Sequence, residues 1–176
     1  MKKCGICVCG LNGSGKTTLA RALAKELNYK HMDAEQYYFS STDNPYSSSR
    51  TREEAERLIR EDIQHHPCFV FSSVSGNMTS EIIAHYDLIV YLDVPLEIRM
   101  KRIRQRAWDQ FGSRILIGGD LYEQEEKFFA FAQSRTPDKI ENWLKTVSCK
   151  VIRLDGTKPI HENVQTIKEL LSQQNA

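Results

Sequence analysis

The sequence predicts an α/β chain, a five-stranded parallel sheet with helices on both faces. Three observations lead there. Short apolar runs alternate with helical stripes along the chain, a glycine-rich loop joins the first run to the first stripe, and no internal repeat or low-complexity linker interrupts the alternation. Consecutive strands separated by helices pair in parallel, because right-handed crossovers return the chain to the same edge and lay the helices over the sheet. At 176 residues the chain is expected to form a single domain, residues 1–176. A domain of that length buries about seventy per cent of its unfolded surface.

Cys4 to Cys9 (C-G-I-C-V-C) reads as a buried first strand. The following Gly10-Leu11-Asn12-Gly13-Ser14-Gly15-Lys16-Thr17 fits G-x-x-x-x-G-K-[ST], a phosphate-binding P-loop, with Thr18 next. A polyphosphate needs a concave ring of backbone N–H donors, and glycines let the backbone curl that tightly. Lys16 reaches the β- and γ-phosphates and the Thr17 hydroxyl ligates Mg²⁺. The motif works when it runs from a strand into a helix, whose N-terminus adds partial positive charge. Leu19, Leu23 and Leu27, with Ala20 and Ala24 beside them, supply that helix. The fold class expected is the three-layer P-loop NTPase fold.

Tyr29 to Met32 reads as a second strand that delivers Asp33 to the C-terminal edge of the sheet, where ligands bind in open α/β folds. Asp33-Ala34-Glu35 leads into a polar loop, Ser40 to Ser49, with Arg50 and Arg52 after it. A loop that long is usually functional. The region 33–66 is expected on the acceptor side of the site. Ala55, Leu58, Ile59 and Ile63 mark a helix over Glu53 to Gln64, ended by His65-His66-Pro67, two exposed end residues rather than metal ligands.

Cys68 to Phe71 is the third strand, turning through Ser72-Ser73-Val74-Ser75-Gly76-Asn77, and a short helix follows over Thr79 to His85. Leu88 to Leu92 is the fourth strand, and Pro95 suits the first position of the helix Leu96 to Trp108. Arg99, Arg102 and Arg106 fall at i, i+3 and i+7 along one face of that helix. Such a row repels itself unless an anion or acidic side chains lie across it, and we expect an anion there, with Lys101 and Arg104 solvated. Asp109 to Gly119, punctuated by glycines and carrying Arg114, has the composition of a hinged lid, so the lid is expected over about 108–119. Helices over Asp120 to Gln133, Thr136 to Leu144 and Pro159 to Leu171 flank a fifth strand, Cys149 to Leu154. The last residues are expected to fray.

Lys plus Arg is 24 and Asp plus Glu is 23, a net charge of +1, which gives no electrostatic case for nucleic acid or membrane. No apolar run approaches the eighteen or so residues of a membrane helix, and no signal peptide is expected. The five cysteines, three of them in the first strand, read as reduced thiols in the cytoplasm. Cys4 and Cys7 would point to opposite faces of a strand, against a redox or zinc pair.

The P-loop, the D-x-E after the second strand, and Asp93-Val94-Pro95 followed by Arg102 and Arg106 resemble the small P-loop kinases. This group includes adenylate kinase and other nucleoside monophosphate kinases, shikimate kinase and gluconate kinase. The resemblance implies ATP and Mg²⁺ as cofactors and a small-molecule phosphoryl acceptor: a nucleotide, a nucleoside or a small hydroxyl metabolite. Gly10, Asn12, Gly13, Ser14, Gly15, Lys16, Thr17 and Thr18 then form the nucleotide site, with Arg102 and Arg106 on adenine and phosphates. Arg114 clamps the transferring group. Asp33 helps Thr17 hold the hydrated metal, or orients the acceptor hydroxyl. Glu35, Arg50 and Asn77 are further acceptor-side candidates, and a monomer or homodimer is expected.

The chain departs from adenylate kinases at Ser72 to Asn77, where they carry Asp-Gly-x-Pro-Arg, and from the glycine triplet of shikimate kinases, of which only Gly76 is present. The donor half therefore matches better than the acceptor half. A nucleotide-binding regulatory or switch protein with slow hydrolysis is the alternative. The chain has no N-K-x-D motif for guanine, and no apolar run ending in Asp-Glu, which points away from a motor or AAA-type ATPase. A nucleic-acid end kinase would want a basic groove.

Overall fold

The computed structural model describes residues 4–39 and 49–174. The expected polar loop around Asn44-Pro45 and the last two residues lie outside the described residues. The expected three-layer arrangement is what the chain adopts. Five strands, β1 (Cys4–Cys9), β2 (Lys30–Asp33), β3 (Cys68–Ser73), β4 (Tyr86–Asp93) and β5 (Lys150–Asp155), run parallel in the order β2-β3-β1-β4-β5. Because β1 is central, the loop that leaves it emerges at the middle of the C-terminal edge.

The helices are α1 (Lys16–Leu27), α2 (Ala34–Tyr38), α3 (Arg52–His65), α4 (Ser80–Ile83), α5 (Leu96–Phe111), α6 (Tyr122–Ser134), α7 (Asp138–Leu144) and α8 (Ile160–Gln174). Alternation along β1 sorts the core. Ile6 and Val8 face Leu19, Leu23, Val164 and Ile167 of α1 and α8. Cys7 and Cys9 face the opposite layer, with Ile59 and Ile63 of α3, Ile82 of α4, and Ile140 and Trp143 of α7. Each such side chain contributes roughly 1.5–3 kcal/mol by burial. Beyond the sheet edge, Ile103 and Ala107 of α5 pack on Phe129 and Ala132 of α6 in a small separate cluster.

Several boundaries differ from expectation for local reasons. α3 starts at Arg52 because Thr51 and Glu54 form a reciprocal capping box, with the Thr51 hydroxyl accepting from the Glu54 N–H and the Glu54 carboxylate from the Thr51 N–H. α2 was not anticipated; it is a single short turn capped by the Asp33 carboxylate, which accepts from the Glu35 N–H at 3.2 Å. The segment expected as a lid is partly helical. Asp109 to Phe111 continue α5, and a 3₁₀ turn, Gly112–Ile115, follows.

The cysteine expectation needs correction. Cys4 and Cys68 are disulfide-bonded, so the chain does not carry five reduced thiols. The two stand opposite each other in the β1–β3 register. Cys7 and Cys9 remain free and fully buried, and burial raises both thiols, Cys9 to about 12. Among the described residues no helix is long and apolar enough to cross a membrane.

The bond closes a separation of 64 residues, which the loop-entropy relation values at about 4 kcal/mol. Non-reducing peptide mapping should recover the Cys4–Cys68 peptide, and reductant should lower the unfolding midpoint without changing the secondary structure.

Candidate active site

The P-loop is shaped by what it touches. Gly13 has φ +80° and Gly15 φ +90°. A Cβ built on Gly13 would stand 2.5 Å from the Arg99 carbonyl oxygen of α5, so only glycine fits there. The loop is tied to β3 by the Gly10 N–H donating to the Val74 carbonyl at 3.2 Å. Two arginines of α5 bind its carbonyls. Arg99, 5 % exposed, donates to the Asn12 and Val94 carbonyls at 3.3 and 3.2 Å. Arg102 donates to the Ser14 carbonyl at 3.2 Å and to the Gly156 carbonyl at 3.0 Å. With carbonyls drawn outward, the loop's N–H groups are left for an anion.

Three further features fit a phosphate chain. No side chain caps the N-terminus of α1 at Gly15, leaving its first N–H groups open. The Ser14 hydroxyl is buried and makes no hydrogen bond among the described residues, a cost of about 1–3 kcal/mol unless a ligand satisfies it. Lys16 is 8 % exposed. Burial pushes its ammonium below the ordinary lysine range; Glu35 and Asp33 act to raise it, and Arg106 and Arg135 to lower it further. Charges of both signs therefore act on Lys16. Thr17 is half-buried one position on, and Thr18 lines a cavity of about 240 Å³ with Arg102, Gly156 and Lys158. That cavity adjoins Gly15 and suits the nucleoside end of a nucleotide.

Other expected residues fare differently. The arginine row lies on one face, but Arg99 and Arg102 hold carbonyls, and Arg106 alone is an exposed cation whose field reaches Lys16. Arg104 is not simply solvated; it lies 4.4 Å over the Phe129 ring and 3.5 Å from the Glu126 carboxylate. Arg114 forms a forked pair with Asp120, at 2.9 and 2.6 Å. Arg50 donates to the Gln36 and Tyr37 carbonyls, fastening α2. Asn77 has an exposed side chain and a carbonyl that accepts from Arg52. Ser72 and Ser73 are buried; Ser72 faces His31 Nε2 at 3.4 Å, and the Ser73 hydroxyl donates to the Ser75 carbonyl at 2.7 Å.

Sequence reasoning missed Arg135. It follows α6, and its guanidinium donates to the Asn12 side-chain oxygen at 3.2 Å and lies 5.2 Å over the Phe131 ring. The signal was its place beside Thr136-Pro137, a helix break at the ligand edge of the sheet.

A family model described as an AAA domain matches residues 6–126. The chain belongs to that family. The missing Asp-Glu run, which pointed away from an AAA-type ATPase, does not separate it from these proteins; β3 ends in Ser72-Ser73 and β4 in a single Asp93. Among similar proteins, the uncharacterized protein YqaC of Bacillus subtilis is 28 % identical, covering 98 % of this chain and 99 % of its own. A shikimate kinase of Prochlorococcus marinus is 26 % identical over 77 % of this chain and 70 % of its own. In fold, a solved shikimate kinase from Bacteroides thetaiotaomicron matches 96 % of this chain and 98 % of its own with a TM-score of 0.59 and 21 % identity.

Gly13→Ala should weaken binding of a non-hydrolysable ATP analogue at least tenfold, because the loop must move off α5 to admit the methyl group. Calorimetric titration and a thermal melt check it; wild-type affinity in the variant would contradict the packing described.

Proposed function

We propose that the protein is an ATP-dependent phosphotransferase that moves the γ-phosphoryl group to a hydroxyl of a small-molecule acceptor. The observation that carries this reading is the buried Lys16, set in an anion-binding loop and facing two carboxylates at the end of β2. Kinase-named relatives with the same chain layout support it. A buried cation in a phosphate loop with Asp33 and Glu35 acting on it suits transfer between a bound polyphosphate and a hydroxyl held by those acids.

The residues present fit ATP and Mg²⁺, since the loop has an orphaned hydroxyl at Ser14 and an uncapped helix end. Thr17 and Asp33 would hold the metal and its water, and Mg²⁺ would supply charge neutralisation at the phosphates. Lys16 would reach the phosphates and stabilise negative charge that grows on the leaving oxygen. Asp33 orients the acceptor hydroxyl and takes its proton as the phosphorus–oxygen bond to that hydroxyl forms. Glu35, exposed beside it, helps to hold the acceptor, with Arg50 and Asn77 at the periphery. Arg102 keeps the loop and the 240 Å³ cavity in register, while Arg106 adds positive potential at the phosphates. The turn after α5 closes over the site and excludes water, so that transfer outruns hydrolysis.

The test is ADP release from Mg·ATP across a panel of nucleosides, nucleotides, sugars and small hydroxy acids. At least one member should raise turnover well above basal hydrolysis, and Asp33→Asn should then cost about 10²–10⁴-fold in kcat with ATP affinity kept. Intact transfer in Asp33→Asn, alongside its loss in Lys16→Ala, would remove Asp33 from this role. No stimulation by any member would favour a nucleotide switch.

A further inference from the structure

The cavity beside Gly15 has two apolar walls, the buried Leu19 and Leu92, and a polar lining whose members are mostly committed elsewhere. Arg102 donates to the Ser14 and Gly156 carbonyls. The Gly156 N–H donates to the Asp93 carbonyl at 2.8 Å. Thr18 and Lys158 are exposed, and water serves them. Asn163, in the first turn of α8, differs from all of these. It lines the cavity and is 4 % exposed.

The Asn163 amide fits only one way round. Its Nδ2 group donates to the Asp155 backbone carbonyl at 2.9 Å. That carbonyl can only accept, so the amide oxygen cannot take the same place. The same carbonyl also accepts from the Lys158 N–H at 3.3 Å, which ties the amide to the turn that borders the cavity. Oδ1 is left on the other branch of the planar amide, and among the described residues it accepts no hydrogen bond. An amide oxygen on so buried a side chain is costly to leave without a donor, and a ligand in the cavity can supply one.

We propose that Asn163 selects the nucleobase of the phosphoryl donor, its Oδ1 accepting a hydrogen bond from the 6-amino group of adenine. The inference rests on the phosphotransfer reading above and deepens it by naming the residue that chooses the donor. Adenine carries an amino donor at its 6 position, whereas guanine and hypoxanthine carry a carbonyl there, which would set acceptor against acceptor. A purine with nothing at that position leaves Oδ1 unpaired. Lys158 can donate to a 6-oxo group, but it is exposed and merely exchanges a bond with water for one with the base. Asn163 is buried and gains a partner that it otherwise lacks. The buried group therefore decides, as in any site built to hydrogen-bond one substituent of its ligand. Asn163 touches no reacting atom, so it acts on donor affinity and leaves the transfer step alone.

The test varies the base and keeps the diphosphate. Calorimetry with Mg²⁺ gives the affinities of adenosine, inosine and guanosine diphosphates and of purine riboside diphosphate, which lacks the 6-amino group. Wild type, Asn163→Leu and Asn163→Ser are compared, each variant checked by thermal melt. Wild type should bind the adenosine compound at least tenfold more tightly than each of the other three. Asn163→Leu keeps the side-chain volume without the acceptor, and Asn163→Ser draws the acceptor back. In both, the preference for adenosine over purine riboside diphosphate should shrink at least threefold. A residue that only tied α8 to the end of β5 would weaken all four nucleotides together and leave the preference as it is in wild type. A preference that shrinks by less than threefold overturns the proposal, and so does a wild-type preference below tenfold against any of the three. If neither variant folds, the wild-type series decides alone. The phosphotransfer reading fails on a different measurement, when no acceptor raises ADP release, whichever base is preferred.

Discussion

The site depends on the close approach of Gly13 to the backbone of α5. A loop alone could curl in many ways, but here its shape is set by a helix that follows it by more than eighty residues in the chain. The Arg99 carbonyl leaves room for no Cβ at Gly13, and the side chain of the same residue reaches back to the Asn12 carbonyl. Arg102 repeats the arrangement one turn on, bridging the Ser14 carbonyl and the turn after β5. The loop's donors are therefore oriented before any anion arrives, which is the condition under which such dipoles stabilise developing charge without reorganising.

That scaffold also divides the charge. Asp33 at the end of β2 and Glu35 in α2 act to raise the Lys16 ammonium, while Arg106 of α5 and Arg135 at the end of α6 act to lower it. Lys16 sits where the two fields meet, buried and with its ammonium disfavoured by the loss of water. A bound polyphosphate would relieve the repulsion among the cations.

The sheet and the loop were legible in the sequence because both rest on local signals. Apolar runs such as Cys4–Cys9 and Leu88–Leu92, and the glycine spacing before Lys16, announce themselves within ten residues. What was missed depends on distant partners. The spacing of Arg99, Arg102 and Arg106 placed them on one face, but not the carbonyls that Arg99 and Arg102 would find. Arg114 looked like a lid arginine, yet Asp120, six residues on, holds it. Arg135 lies in no periodic pattern, and Asn12, to which it bonds, is 123 positions away. Cys4 meets Cys68 through the β1–β3 register alone. The one-turn α2 has too few residues for an apolar stripe, and the Thr51–Glu54 box was readable but passed over.

A crystal structure with Mg²⁺ and a non-hydrolysable ATP analogue would show whether the loop binds the phosphates as its geometry requires. The phosphates should be cradled by the N–H groups of Gly13 to Thr17, with Lys16 Nζ and the Ser14 hydroxyl in hydrogen-bond range and the base in the cavity beside Gly15 and Arg102. An analogue bound elsewhere, with the Ser14 hydroxyl still unpartnered and Lys16 out of reach of any phosphate, would contradict it.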